Sequence, residues 1–205
     1  MAWTGSNSRR LPRRLAQLYL GLLLYGSSMA VLVQSSLGVM PWDVLHQGLA
    51  QQLGGSLGQV TIAVGVLVLL GWIPLRERPG LGTVSNVVVI GLAVDAALAV
   101  VAAPSALPVQ LAFVVAGVAL NAVATAAYIG VRLGAGPRDG LMTGLVRRTG
   151  GSVRLVRTSI EVAVVAVGWL LGGTLGVATV LYALAIGPLV HLLLPVFTVE
   201  LPDRA

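Results

Sequence analysis

The sequence predicts an all-α integral membrane protein. It has six transmembrane helices arranged as two inverted three-helix repeats, each with a short Gly/Pro-initiated helix that is either amphipathic or re-entrant. Three observations predict this fold. The chain is 57% hydrophobic and 10% charged, with a mean hydropathy of +0.93, whereas soluble domains carry roughly 25% charged residues. A stretch at 37–56, LGVMPWDVLHQGLAQQLGGS, returns 96 residues later at 133–152 as LGAGPRDGLMTGLVRRTGGS, with ten of twenty positions identical and no gap. The arginines, finally, occur only in alternate connectors between apolar runs.

Taken in order, residues 1–14 form a basic N-terminus with Arg9, Arg10, Arg13 and Arg14. The apolar run behind them is too long for a signal core and lacks a small-residue cleavage site, so it reads as an uncleaved first span. Repeat 1 covers 15–104, with apolar runs near 15–34, 57–75 and 82–101. Repeat 2 covers 105–195, with runs near 108–131, 153–171 and 175–194, and 196–205 is a tail. Each run meets or approaches the roughly 20 residues a span requires.

The same offset pairs Gly21 with Gly117, Leu24 with Leu120, Thr83 with Thr179 and Ile90-Gly91 with Ile186-Gly187, which marks two copies of one unit. Arg76 and Arg78 separate spans two and three. Arg132, Arg138, Arg147, Arg148 and Arg154 lie between or beside spans four and five, Arg157 lies in the first turns of span five, and Arg204 follows span six. Read by the positive-inside rule, both termini are cytoplasmic. Three spans per repeat is an odd number, so the second copy runs upside down, a plan that recurs in transporters.

The repeated stretch reads Gly-x-x-Pro-x-Asp followed by about twelve residues of helix. Pro41 and Pro137 suit a first helical turn, where a missing N–H is no loss. Asp43 and Asp139, two residues on, are placed to cap the open N–H groups, and Gly54-Gly55 and Gly150-Gly151 end the segment. Two readings stay open: an amphipathic helix lying at the interface, or a half-helix that presents its N-terminus to a solute.

Ionisable residues within spans are functional candidates because lipid penalises them. Asp95 in span three and His191 at its equivalent place in span six could relay protons. Glu161 is the deepest acid, and Arg157 four residues before it shares its helix face, giving either a structural pair or a gated acid. Asn86, Asn121, Thr125, Tyr128, Tyr25 and Gln34 supply neutral hydrogen-bonding groups, mostly as interhelical glue. Gly168, Gly172 and Gly176 suggest close packing, and Trp42, Trp72 and Trp169 read as anchors at span ends.

The chain has no cysteine and no lysine, which removes disulfides, thiolate metal sites and lysine chemistry. Its net charge of +6 is scattered between apolar runs instead of forming a stripe, so nucleic acid is not an expected partner. No catalytic, metal or phosphate-loop motif is present, and neither an enzyme nor a cofactor is expected.

Three segments, SSLGVMPWDVLHQGLAQQLGGSLGQVT at 35–61, LGAGPRDGLMTGLVRRTGGSVRLVRTSIEV at 133–162 and TLGVATVLYALAIGPLVH at 174–191, resemble the YczE branch of the YczE/YyaS/YitT membrane proteins. The resemblance implies a bacterial multi-pass protein of the cytoplasmic membrane and carries over no catalytic residues. The leading expectation is a small secondary transporter or exporter of an unidentified small solute. Its candidate pathway residues are Asp43, Asp95, Asp139, Glu161, His191, Asn86, Asn121 and Arg157. The alternative is a non-transport scaffold or accessory subunit of a biosynthetic or regulatory complex. The expected partners are the lipid bilayer, the solute and, as an open alternative, further copies of the chain.

Overall fold

The computed structural model describes residues 5–199, with side chains from residue 11 onward; the tail from 200, including Arg204, and the side chains of Arg9 and Arg10 lie outside the described residues. The described residues form eight helices: α1 (Gly5–Gln34), α2 (Pro41–Leu53), α3 (Leu57–Leu75), α4 (Leu81–Leu98), α5 (Leu107–Gly130), α6 (Pro137–Thr149), α7 (Val153–Leu170) and α8 (Val177–Phe197). The order long, short, long, long occurs twice, with α2 and α6 each 13 residues. Five helices are long and apolar enough to cross a membrane: α1 from Leu11, α3, α4, α5 and α8. The exception among the expected spans is α7, whose 18 residues include Arg154, Arg157 and Glu161.

The local reading of the repeated stretch holds at both ends. Pro41 and Pro137 open α2 and α6, and Gly54 (φ 74°) and Gly150 (φ 68°) close them in the left-handed region, each donating its N–H to a carbonyl four residues back. The last shared residue begins the next helix, since Ser56 caps α3 by accepting from Gln59 N and Ser152 caps α7 by accepting from Leu155 N.

The two units hold each other by equivalent bonds. Ala178 N in α8 donates to Leu37 O, and Gly82 N in α4 donates to Leu133 O. Thr179 Oγ1 accepts from Val39 N, and Thr83 Oγ1 donates to Ala135 O. Each tight turn after α1 or α5 is thus seated on the start of a helix from the other unit. Gly38 (φ 118°) and Gly134 (φ 137°) lie in those turns, where a side chain would strike Thr179 or Thr83.

At the centre, α1 packs along both α4 and α5. Lipid tails give helices no hydrophobic reason to associate, so close packing and buried hydrogen bonds must hold them. Leu18, Leu22, Met29 and Leu32 of α1 are fully buried against Val94 and Ala122. Asn121 joins three helices, donating to Ser28 Oγ at 2.9 Å and accepting from Tyr182 Oη at 2.7 Å. Gly168 is buried in α7 where it meets the backbone of Val44 and Leu45 in α2, the close approach its spacing predicts.

The tryptophans expected as anchors at span ends differ in burial. Trp169 is exposed, but Trp42 and Trp72 are buried. Trp72 lies over Gly140 and donates its indole N–H to Pro137 O at 2.9 Å, so it braces α3 against α6.

Candidate functional site

The short helices have their N-terminal ends buried and their C-terminal ends exposed. Met40, Trp42, Asp43 and His46 of α2 are buried while Gln51, Gln52 and Leu53 are exposed; Gly136 and Pro137 are buried while Arg147 and Arg148 are exposed. Their buried starts meet through side chains, with the Arg138 guanidinium 4.7 Å from the centre of the Trp42 ring. Trp42 and Arg138 are equivalent positions of the repeat, so the two half-helices meet through the same site in each copy.

Beside that meeting point lies a cavity of about 370 Å³, lined by residues of every helix. Its polar wall includes Tyr25, His46, Thr61, Asn86, Tyr128, Arg138, Asp139, Arg157, Glu161, Tyr182 and His191. Its apolar wall includes Val64, Ile90, Ile160, Ile186 and Val190. Among the described residues, no group of three His, Asp or Glu is placed to hold a metal ion.

Asp43 does not cap α2. Its Oδ1 lies 3.1 Å from His46 Nδ1 and its Oδ2 is buried with no hydrogen-bond partner among the described residues. Thr61 Oγ1 gives its hydrogen to Leu57 O at 2.8 Å, so it can only accept from His46 Nδ1, 3.2 Å away. The proton therefore sits on Nδ1, and Nε2 is left as the free acceptor of the neutral ring. Burial pushes the His46 pKa below its ordinary value, against the opposing pull of Asp43. The result is an imidazole oriented by a carboxylate at the cavity wall, able to accept one proton and have its charge compensated.

The equivalent of His46 is Met142, so α6 lacks the dyad. Asp139 instead faces the cavity and accepts a long hydrogen bond of 3.4 Å from Tyr128 Oη. Burial raises its pKa, opposed by the charges of Arg138 and Arg157.

Of the other predicted residues, Glu161, Arg157, His191 and Asn86 line the cavity and Asn121 does not. Arg157 Nε and Glu161 Oε1 form the expected i,i+4 pair at 3.0 Å. Asp95 lies elsewhere: it accepts from Ser56 Oγ at 2.5 Å and from Gly58 N at 2.7 Å, so it secures the N-terminus of α3. The structure therefore does not bring Asp95 and His191 together, and a direct relay between them has no geometric basis.

His46 and Arg138 are the site residues that sequence reasoning passed over. Two signals could have found them. His46 follows Asp43 by three residues, one helical turn. Arg138 replaces Trp42 inside a stretch that is otherwise half identical, which flags an asymmetric position.

Residues 12–195 match the family described as "Family of unknown function (DUF6198)". The chain is 41% identical over 177 residues to an uncharacterized protein of Haemophilus influenzae, covering 86% of this chain and 81% of the relative. It is 32% identical over 180 residues to the uncharacterized membrane protein YczE of Bacillus subtilis, covering 86% and 83%. It is 24% identical over 181 residues to the uncharacterized protein YyaS of the same organism, covering 86% and 90%. No solved structure matches the chain.

Proposed function

The chain belongs to the family of unknown function DUF6198, and from its architecture we propose that this membrane protein is a small secondary transporter of an organic solute. Six helices cross the bilayer in this reading: the five apolar ones and α7, whose Arg157 and Glu161 line the cavity. The two units are inverted repeats with both termini in the cytoplasm, in keeping with the arginine pattern.

The observation that carries the reading is the cavity. Two half-helices end at its wall, and it continues into a seam between α7 and α8, which share no interface comparable to that of α3 and α4. Half-helices ending at a midplane solute site between inverted repeats are a transporter device. A cavity with one open seam and one closed seam fits a carrier caught facing one side. On the charge pattern, that side is the cytoplasm.

The absence of cysteine gives a direct test. Single cysteines at Ile160 and Val190, flanking the open seam, should react with a membrane-impermeant thiol reagent added from the cytoplasmic side. A cysteine at Ile62, along the closed seam and outside the cavity lining, should be protected from both sides in this state. Protection of all three positions from both sides would remove the water-filled path and favour a scaffold. Reaction of the open-seam pair only from outside would overturn the orientation.

A further inference from the structure

Arg157, the other arginine lining the cavity, and several arginines elsewhere in the fold are already committed. Arg157 pairs with Glu161, Arg147 pairs with Glu77, Arg148 donates to Pro74 O, and Arg14 donates to Val131 O and Arg132 O. Arg138 is different. It lines the cavity and rests on Trp42, and among the described residues it enters no ion pair and no hydrogen bond. A guanidinium carries five N–H donors in a planar fork, and those of Arg138, only partly buried at the cavity wall, are free of protein partners and available to a guest. Stacking on the indole holds the plane of the fork and leaves its edge for a planar acceptor.

Nearby groups favour the same kind of guest. The first turns of α2 and α6 bring their positive ends to this point. Asp139, the adjacent acid, accepts its side-chain hydrogen bond from Tyr128 and forms no ion pair with the guanidinium. Glu161 is occupied by Arg157. One uncommitted cation suits one negative charge. Tyr25, Tyr182, Ile90 and Ile186 offer a mostly aromatic and aliphatic wall for the rest of the molecule.

We propose that the cavity binds a small organic monocarboxylate with an apolar or aromatic body, its carboxylate held by the Arg138 fork over Trp42. This rests on the carrier reading for its biological meaning, but not for the binding itself. The test uses full-length protein in nanodiscs, with benzoate, benzamide and benzylamine as probes and binding read by calorimetry. Benzoate should bind saturably, and the uncharged and cationic analogues about tenfold or more weakly, because a charge-assisted bidentate contact is lost. R138Q should weaken benzoate by a similar factor. R138K keeps the charge without the fork and should fall between. R78Q, in the exposed α3–α4 turn, should match the unmodified protein.

Should R138Q fail to fold, R138K decides: it must weaken benzoate while unfolding at the unmodified protein's temperature. Equal binding of benzylamine, no benzoate binding at about ten millimolar (about 10,000-fold above a micromolar Kd), or an R138K indistinguishable from the unmodified protein would overturn the proposal. Flux in proteoliposomes separates the two readings. Benzoate that binds but never crosses would retire the carrier and keep the site. A different solute carried at full rate by R138Q would retire the site and keep the carrier.

Discussion

The α3–α4 pair and the α7–α8 pair occupy the same place in the two repeats, yet one is closed and the other open. In the first, Gly58 of α3 lies against the backbone of Gly91 in α4, Gly65 fits against Val87, and Asp95 holds the start of α3 by two hydrogen bonds. The equivalents in the second are Arg154, Glu161 and His191, and Gly187, the counterpart of Gly91, faces open space. Small residues let two backbones meet, whereas charged ones hold them apart and need water or partners of their own. The repeated unit thus presents a packed seam in one copy and an open one in the other, and the residues that differ lie on both α7 and α8.

The largest test of that comparison is a pair of substitutions at equivalent glycines. Gly91→Leu would drive a side chain into Ile62 and the Gly58 carbonyl, and should destabilise the protein by about 3 kcal/mol or prevent its accumulation. Gly187→Leu meets no neighbouring atom and should unfold within about 0.5 kcal/mol of the unmodified protein. Thermal unfolding in nanodiscs reads both. Equal effects would mean that the two seams are packed alike.

Asp95→Ala comes next. Removing its bonds to Ser56 and Gly58 should cost about 1–3 kcal/mol. It should also expose a cysteine at Ile62 to reagent from the side of the α3 N-terminus. His191→Ala, its counterpart, should change stability by about 0.5 kcal/mol or less.

A third test uses pH. His46 is buried and lowered below its ordinary value of 6.5, so the unfolded chain takes up its proton before the folded one does. Stability is therefore complete above about pH 6.5 and falls as the medium is acidified below it. H46Q should flatten that slope. Asp139 acts in the opposite sense, because a raised carboxyl pKa lets the folded protein hold the proton to higher pH. D139N should leave the acid loss steeper. An H46Q protein whose melting temperature depends on pH between 4 and 7 as the unmodified protein's does would count against the His46 assignment, and the same outcome for D139N against that of Asp139.

The smallest effect belongs to Arg157→Gln. Its partner Glu161 is only half-buried, and a partly exposed i,i+4 pair contributes about 0–1 kcal/mol. Stability should scarcely change, whereas reagent access through the α7–α8 seam should.

Much of the fold was legible because it depends on near neighbours. Pro41 and Gly54, like Pro137 and Gly150, bracket their helices by backbone geometry that any reader of the chain can see. Asp43 misled for the same reason: its place two residues after proline suits a cap, yet His46 on the next turn takes its carboxylate. Trp42 and Trp72 also misled, since a tryptophan near the end of an apolar run is ordinarily an anchor, and only their distant partners Arg138 and Pro137 draw them inside. Asp95 and His191 sit at equivalent places in the repeat, but the residues facing them differ, so equivalence carried no shared role.

What the sequence by itself determined is the solvent, the duplication and the ends of the helices. These follow from composition, from a 96-residue offset and from caps that act within one turn. What only the tertiary structure decided is which of the polar residues share a cavity, which seam is closed, and that Arg138 meets Trp42. Those depend on faces brought together across most of the chain's length, and neither hydropathy nor local hydrogen bonding records which faces will meet.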